Sequence, residues 1–100
     1  MFDLGMAGKV RPVLVVSANY GDLDRTLVTI LPHTTSLRGS QYEITVNVAF
    51  LKPGAFLVQN VATYPNVRAV RKLGALNKEQ FDVVFSGLLR WLGHAAPQPL

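Results

Sequence analysis

The sequence predicts a mainly β (α+β) fold: a small, antiparallel barrel or curled sheet with one C-terminal helix packed on it. Short apolar segments bounded by turn-forming residues recur along residues 13–74. One segment, QYEITVNV, alternates strictly between apolar and polar residues, as a half-buried strand does. Beyond residue 76 the apolar spacing changes to the helical period.

The first two strands are predicted from apolar runs. Residues 13–17 are almost continuously apolar, which is typical of a strand covered on both faces. Pro12 is expected at the start of that strand, where its missing N–H does least damage. Residues 27–31 form the second strand, which is expected to end at Pro32, and PHTTSLRGS, residues 32–40, is expected to be a loop.

Three further strands complete the predicted sheet. The alternating segment is expected to form a strand over residues 41–48, and the turn signal at 52–54 should return the chain along 55–61. A loop is expected around residues 64–66, followed by a last strand within 67–74 that carries three basic side chains. The apolar face of the alternating strand consists of Tyr42, Ile44, Val46 and Val48.

The C-terminal helix is predicted from its capping residues. Asn77 is a good N-cap, and Gln80 three residues later completes a capping box. Leu76 and Phe81 are placed to form a hydrophobic staple, and Gly93 is expected to end the helix. The apolar face of the helix is expected to consist of Phe81, Val84, Phe85, Leu88 and Leu92.

Length and composition limit the kind of protein. The chain of 100 residues predicts a single domain over residues 1–93 and a flexible tail over 94–100. Ten basic and six acidic residues give a net charge of +4, which is compatible with a nucleic acid or an acidic protein partner. No apolar run approaches the roughly 20 residues that span a bilayer, so no membrane partner is expected. The absence of cysteine excludes disulfides and favours a cytoplasmic location.

Several classes of active site are not supported by the sequence. Asp22 and Asp24 share a loop but lack a further ligand, so no metal site is predicted. His33 is expected to be an ordinary loop histidine, and His94 lies in the predicted tail, so the two are not expected to converge. The chain has no Gly-rich phosphate loop and no GxSxG motif. We therefore expect no cofactor.

Polar residues at strand ends are the remaining candidates. Lys9 and Arg11 precede the first apolar strand, and Thr34 follows the second. An arginine fork pairs bidentately with phosphate oxygens, and a threonine hydroxyl adds a short donor. Such a set could hold a phosphodiester and stabilise the extra charge of a pentavalent transition state. A surface arginine and a loop capped by its own hydroxyls would explain the same residues, and the spacing alone leaves both explanations open.

The order of these motifs resembles that of the MazF/PemK toxins. RPVLVVS, ILPHTTS and AFLVQNV are followed by an arginine-bearing strand that ends in KLGALN and by a last helix. The resemblance extends from about Val10 to Gly93. It implies an SH3-like barrel of the CcdB/MazF type, a homodimer, and a metal-independent, sequence-specific endoribonuclease that acts on single-stranded RNA. It also implies a cognate antitoxin that threads a disordered acidic segment over the toxin.

The resemblance also implies roles for particular residues. Arg11 occupies the position of the family's catalytic arginine, and Thr34 that of its catalytic threonine. In the family reaction the ribose 2′-OH attacks the adjacent phosphate and leaves a 2′,3′-cyclic phosphate and a 5′-OH end. Further candidates for RNA contacts are Lys9, Thr35, Arg38 and Gln59.

The chain departs from the family pattern at its start. Family members usually begin with a strand that carries an Arg-Gly-Asp-like segment, whereas MFDLGMAG looks like the end of that strand, so the N-terminal strand is expected to be shortened. The loop before Arg11 lacks the acidic residue of some relatives, which leaves the general base unassigned. Two alternatives therefore stay open: a CcdB-like, non-catalytic inhibitor of a gyrase subunit, and an inactive relative.

Overall fold

The computed structural model describes residues 1–6, 9–66 and 69–94, and within these ranges it contains seven strands, one 3-10 turn and one helix. In chain order they are β1 (Phe2–Met6), β2 (Lys9–Val15), β3 (Leu27–Thr34), β4 (Glu43–Ile44), β5 (Ala55–Leu57), the 3-10 turn (Val58–Asn60), β6 (Ala62–Pro65), β7 (Ala69–Lys72) and α1 (Lys78–Trp91).

The strands form an antiparallel sheet in the order β4-β5-β3-β2-β1-β7, with β6 also paired to β3. β5 and β6 are paired to β3, with the 3-10 turn between them in the chain. The predicted antiparallel sheet with one C-terminal helix is confirmed. Within the described ranges, however, the outer strands β4 and β7 do not pair with each other, so the sheet does not close into a barrel.

Pro12 and Pro32 were expected at strand ends, but both lie inside strands. β2 begins at Lys9, and Pro12 pairs with Asp3 of β1 just before pairing with β3 begins at Val13. Pro32 pairs with β2, whereas β5 and β6 contact β3 only on either side of it. Each of these prolines is paired with a neighbouring strand on one side only, so the strand can continue through a residue that lacks an N–H.

The alternating segment forms a much shorter strand than predicted. Only Glu43–Ile44 pairs, because its partner β5 is three residues long and no described strand lies beside residues 45–48. The side chains nevertheless alternate as predicted, since Ile44 and Val48 are buried and Thr45 is exposed. The amphipathic pattern therefore identified the buried face correctly but not the extent of the hydrogen-bonded ladder.

Two other strand boundaries were wrong. The predicted strand over 55–61 ends at Leu57, where the chain enters the 3-10 turn. The predicted loop around 64–66 largely belongs to β6, which pairs with the first half of β3. β7 falls inside the predicted last strand, and residues 67–68 of that prediction lie outside the described ranges. The N-terminal segment forms β1, between β2 and β7 in the sheet.

The helix begins as predicted. The Asn77 side chain accepts a hydrogen bond from Gln80 N at 2.8 Å, and Asn77 N donates to the Gln80 side chain at 2.9 Å, which confirms the capping box. Leu92 lies at the C-cap and is 60% exposed, so it is not part of the buried helix face. In the described part of the chain, no helix has the length and apolar character needed to cross a membrane.

The core lies on both faces of the sheet, because consecutive residues of β2 point to opposite sides. Val13 and Ile30 are buried on the face away from the main cluster and are covered by Phe2 and Tyr64 among others. The main cluster lies between the sheet and α1. It consists of Met1, Leu14, Leu31, Ile44, Val48, Phe56, Val58, Val84 and Leu88.

Candidate active site

Arg11 and Thr34 line one cavity, although they are 23 positions apart in the chain. In the antiparallel ladder Val13 pairs with Pro32, Leu14 with Leu31 and Val15 with Ile30. Arg11 lies two residues before Val13 and Thr34 two residues after Pro32, so both residues lie just beyond the same end of this ladder. The cavity has a volume of ≈ 470 Å³ and is also lined by Thr35. The sheet thus brings together three of the residues selected from the sequence.

The Arg11 guanidinium is available to an incoming group. The residue is exposed at the mouth of the cavity. No described residue forms an ion pair or a hydrogen bond with its side chain. An unpaired guanidinium presents its planar fork of donors to a phosphate group.

The Thr34 hydroxyl is oriented by its own chain. Ser36 N donates to Thr34 Oγ1 at 3.0 Å, which occupies one acceptor site of that oxygen. The Ser36 carbonyl lies 3.4 Å from Oγ1, longer than a well-formed hydroxyl hydrogen bond. The hydroxyl proton therefore remains available to a better acceptor in the cavity. Loop capping and donation to a bound group, the two explanations that the sequence leaves open for this hydroxyl, are therefore compatible.

An ion pair that the sequence did not reveal lies in the cavity wall. Asp3 is buried and accepts a hydrogen bond from Arg71 Nε at 2.6 Å. Both residues line the cavity, together with Lys52. The charge of Asp3 is balanced by that of Arg71. The cavity therefore has a net positive charge from Arg11 and Lys52, which suits an anionic ligand. No local pattern indicates this pair, because its partners are 68 positions apart.

His33 is not the loop histidine that was expected. It lies within β3, is 7% exposed and lines the same cavity. Its ring packs edge-on against Phe56, with 5.1 Å between ring centroids. Burial lowers the pKa of His33 below its ordinary value, so the imidazole is neutral near pH 7. Leu31 and His33 are two positions apart, so they share a face of a strand. Extending the predicted strand through Pro32 would therefore have indicated that His33 is buried.

Gly54 allows the loop after β4 to lie against the end of β3. A Cβ atom at this position would lie 2.1 Å from the Thr34 carbonyl oxygen and 2.9 Å from His33 Cε1. Both distances are shorter than any normal contact, so only glycine fits without displacing the neighbouring chain. Gly54 is therefore a structural determinant of the cavity.

Arg38 and Gln59 line a second cavity, not the first one. Its volume is ≈ 370 Å³, and Ser36 lines both cavities. The backbone before β4 is held there by the Glu43 carboxylate. The side chain of Lys9, the remaining RNA-contact candidate, lies outside the described residues.

The Glu43 carboxylate accepts hydrogen bonds from three successive backbone N–H groups. Their distances are 2.9 Å for Arg38, 2.7 Å for Gly39 and 2.8 Å for Ser40. These bonds, that from Arg38 first, lower the pKa of Glu43, so the carboxylate remains charged at neutral pH. Because the Glu43 carboxylate binds these three N–H groups, it fixes the backbone from which the Arg38 side chain extends.

One family of known proteins matches most of the chain. The family described as PemK-like, MazF-like toxin of type II toxin-antitoxin systems matches residues 3–92. No curated protein sequence matches the chain. The match includes both strands that carry Arg11 and Thr34, and it does not favour the alternative of a CcdB-like inhibitor.

Solved structures show the same fold. The Mycobacterium tuberculosis toxin MazF-mt6 matches with a TM-score of 0.74 and 26% identity over 91% of this chain and 94% of that one. A mycobacterial endoribonuclease in complex with its cognate antitoxin has a TM-score of 0.81 and 19% identity, over 98% and 93% of the two chains. A MazE-MazF structure from Deinococcus radiodurans has a TM-score of 0.75 and 24% identity, over 91% and 88%.

Proposed function

The chain belongs to the PemK-like, MazF-like toxins of type II toxin–antitoxin systems, and on this premise we propose that it is an endoribonuclease that cleaves single-stranded RNA in the cavity of Arg11 and Thr34. Ribonuclease activity is supported at the level of the family and its structural relatives. The observation that carries the proposal for this chain is that Arg11, whose guanidinium is unpaired within the described residues, and Thr34 line the same cavity.

In the proposed reaction the nucleophile belongs to the substrate. The ribose 2′-oxygen forms a bond to the adjacent phosphorus, and the bond from phosphorus to the 5′-oxygen breaks. Arg11 neutralises the charge that develops on the non-bridging oxygens, and the Thr34 hydroxyl donates to one of them and holds the phosphate for in-line attack. No metal ion, cofactor or protein nucleophile takes part in these steps.

The nucleotides beside the cleaved bond are proposed to extend from the first cavity into the second. Thr35 lines the first cavity, Arg38 and Gln59 line the second, and Ser36 joins the two. Arg38 supplies a cation for a phosphate, whereas the Gln59 amide offers both a donor and an acceptor. Lys9 remains a further proposed phosphate contact, on the basis of its position in the sequence.

The proposed protein partners are a cognate antitoxin and a second copy of the chain. The mycobacterial relative was solved with its antitoxin, and the Deinococcus radiodurans relative as a MazE-MazF complex. The net charge of +4 suits an acidic antitoxin segment. The homodimer rests on the family resemblance.

Cleavage of RNA without divalent metal tests the proposal. Purified protein is incubated with mixed-sequence RNA in EDTA, beside the Arg11→Ala and Thr34→Ala variants, and the folded state of each is checked by circular dichroism. We expect cleavage by the wild type, and a loss of about 100-fold or more in each variant. Intact RNA with a folded wild type would indicate an inactive relative, and equal cleavage by the variants would place the active site elsewhere.

A further inference from the structure

We propose that His33 is the general base of the reaction, accepting the proton of the attacking 2′-OH. This inference rests on the proposed ribonuclease function and assigns the one role in that reaction that Arg11 and Thr34 leave unfilled. A guanidinium stays protonated at neutral pH and a hydroxyl is a very weak base, so neither residue takes up a proton readily.

The position of His33 supports this role. It lies at the end of β3 and lines the same cavity as Arg11 and Thr34. The His33 ring is packed closely against Gly54, where an added Cβ atom would lie 2.9 Å from His33 Cε1. A base must be within hydrogen-bond reach of the proton that it removes, and His33 shares its cavity with the two residues proposed to hold the phosphate.

The ring nitrogens of His33 are free to act. No described residue forms a hydrogen bond with either nitrogen, and the contact of the ring with Phe56 is between the aromatic rings. Neither nitrogen is completely sealed from solvent, because the described residues include no fully buried side-chain nitrogen or oxygen without a partner. Because His33 is 7% exposed and lines the cavity, the cavity is the proposed route by which the substrate reaches a ring nitrogen.

The protonation state of His33 suits a base. Burial lowers its pKa from the ordinary 6.5, so the ring is unprotonated at pH 7 and can accept a proton there. The other titratable side chains that line the cavity are Asp3, Arg11, Lys52 and Arg71. Among the types of side chain present, histidine alone ordinarily changes its charge near neutral pH.

In the proposed step the O2′–H bond breaks as the O2′–P bond forms, and the proton passes to the lone pair of a His33 ring nitrogen. The P–O5′ bond breaks on the opposite side of the phosphorus, and the leaving 5′-oxygen takes a proton from water. His33 then loses its proton to solvent, which returns the imidazole to its neutral form.

The pH profile of kcat/KM tests the proposal. A cleavage site is first mapped with mixed-sequence RNA, and an oligoribonucleotide that contains it is then cleaved between pH 4.5 and 8. We expect the wild type to gain activity as pH rises through the pKa of His33, below 6.5, and to level off above it. His33→Gln should lose about 10²–10⁴-fold at pH 7, and its residual activity should lack the low-pH limb. Oligonucleotide affinity should change little.

Two further variants separate catalysis from folding. His33→Ala removes the ring, and added imidazole should restore part of its activity if the ring acts as a base. His94→Gln changes the exposed histidine after α1 and should behave as the wild type does. A His33→Gln enzyme that is folded and keeps both its rate and its low-pH limb would overturn the role of His33 alone. If the wild type does not cleave RNA, the proposed function fails with it.

Discussion

Arg11→Lys is expected to lower kcat/KM for RNA cleavage by about 10²–10³-fold while leaving the fold intact. Lysine keeps the positive charge but replaces a planar fork of donors with a single ammonium, so it cannot make paired hydrogen bonds to two phosphate oxygens. The exposed side chain of Arg11 has no described partner to lose, which is why little stability should depend on it. Cleavage kinetics and thermal unfolding of the same preparation measure the two effects.

Arg25→Lys is the matched control for this substitution. Arg25 is exposed in the loop before β3 and does not line either of the two cavities assigned to RNA. The same chemical change there should leave cleavage unaltered. Equal activity in the two variants would mean that positive charge alone is required at position 11, and the proposed bidentate contact would be wrong.

Gly54→Ala is expected to lower the free energy of unfolding by about 1–3 kcal/mol and to impair cleavage as well. The new Cβ would lie 2.1 Å from the Thr34 carbonyl oxygen, which is backbone and cannot turn aside. Relieving the overlap requires the loop or the end of β3 to move. Movement of β3 displaces Thr34 and His33, and movement of the loop changes their packing. Denaturant unfolding at a fixed protein concentration, beside cleavage kinetics, measures both consequences.

Gly21→Ala provides the comparison for Gly54→Ala. Gly21 lies in an exposed loop, and a Cβ there would make only an ordinary contact, 3.8 Å from Asp24 Oδ2. The free energy of unfolding of the Gly21→Ala variant should stay close to that of the wild type. If the two alanine variants proved equally stable, the close approach of the loop to β3 would not be a real constraint on the cavity.

Patterns that depend on near neighbours in the chain predicted the fold well. The capping box at Asn77 and Gln80 is formed, and the alternation around Ile44 and Val48 identified the buried side chains. These features follow from periodicity and from local hydrogen bonds, both of which are present in the sequence itself. The extent of each ladder was less predictable, because pairing depends on a partner strand elsewhere in the chain.

The candidate site was predictable only in part for the same reason. Arg11 and Thr34 could be selected from the motifs that carry them, but the register that aligns β2 with β3 was not visible. His33 was expected in a loop because Pro32 was taken to end the strand, whereas β3 continues through Pro32 and His33 is buried. The close approach of Gly54 involves a turn 20 positions away from Thr34, so no local pattern predicted it.

A single 2′-deoxy substitution tests most directly whether the substrate supplies the nucleophile. Two oligoribonucleotides share one mapped cleavage site, and one of them lacks the 2′-OH on the 5′ side of the scissile phosphate. The protein should cleave the all-ribose strand in EDTA to a 2′,3′-cyclic phosphate and a 5′-OH end, and should leave the deoxy-substituted strand intact. Cleavage of the deoxy-substituted strand at the same bond, or a 5′-phosphate on the product, would contradict the mechanism.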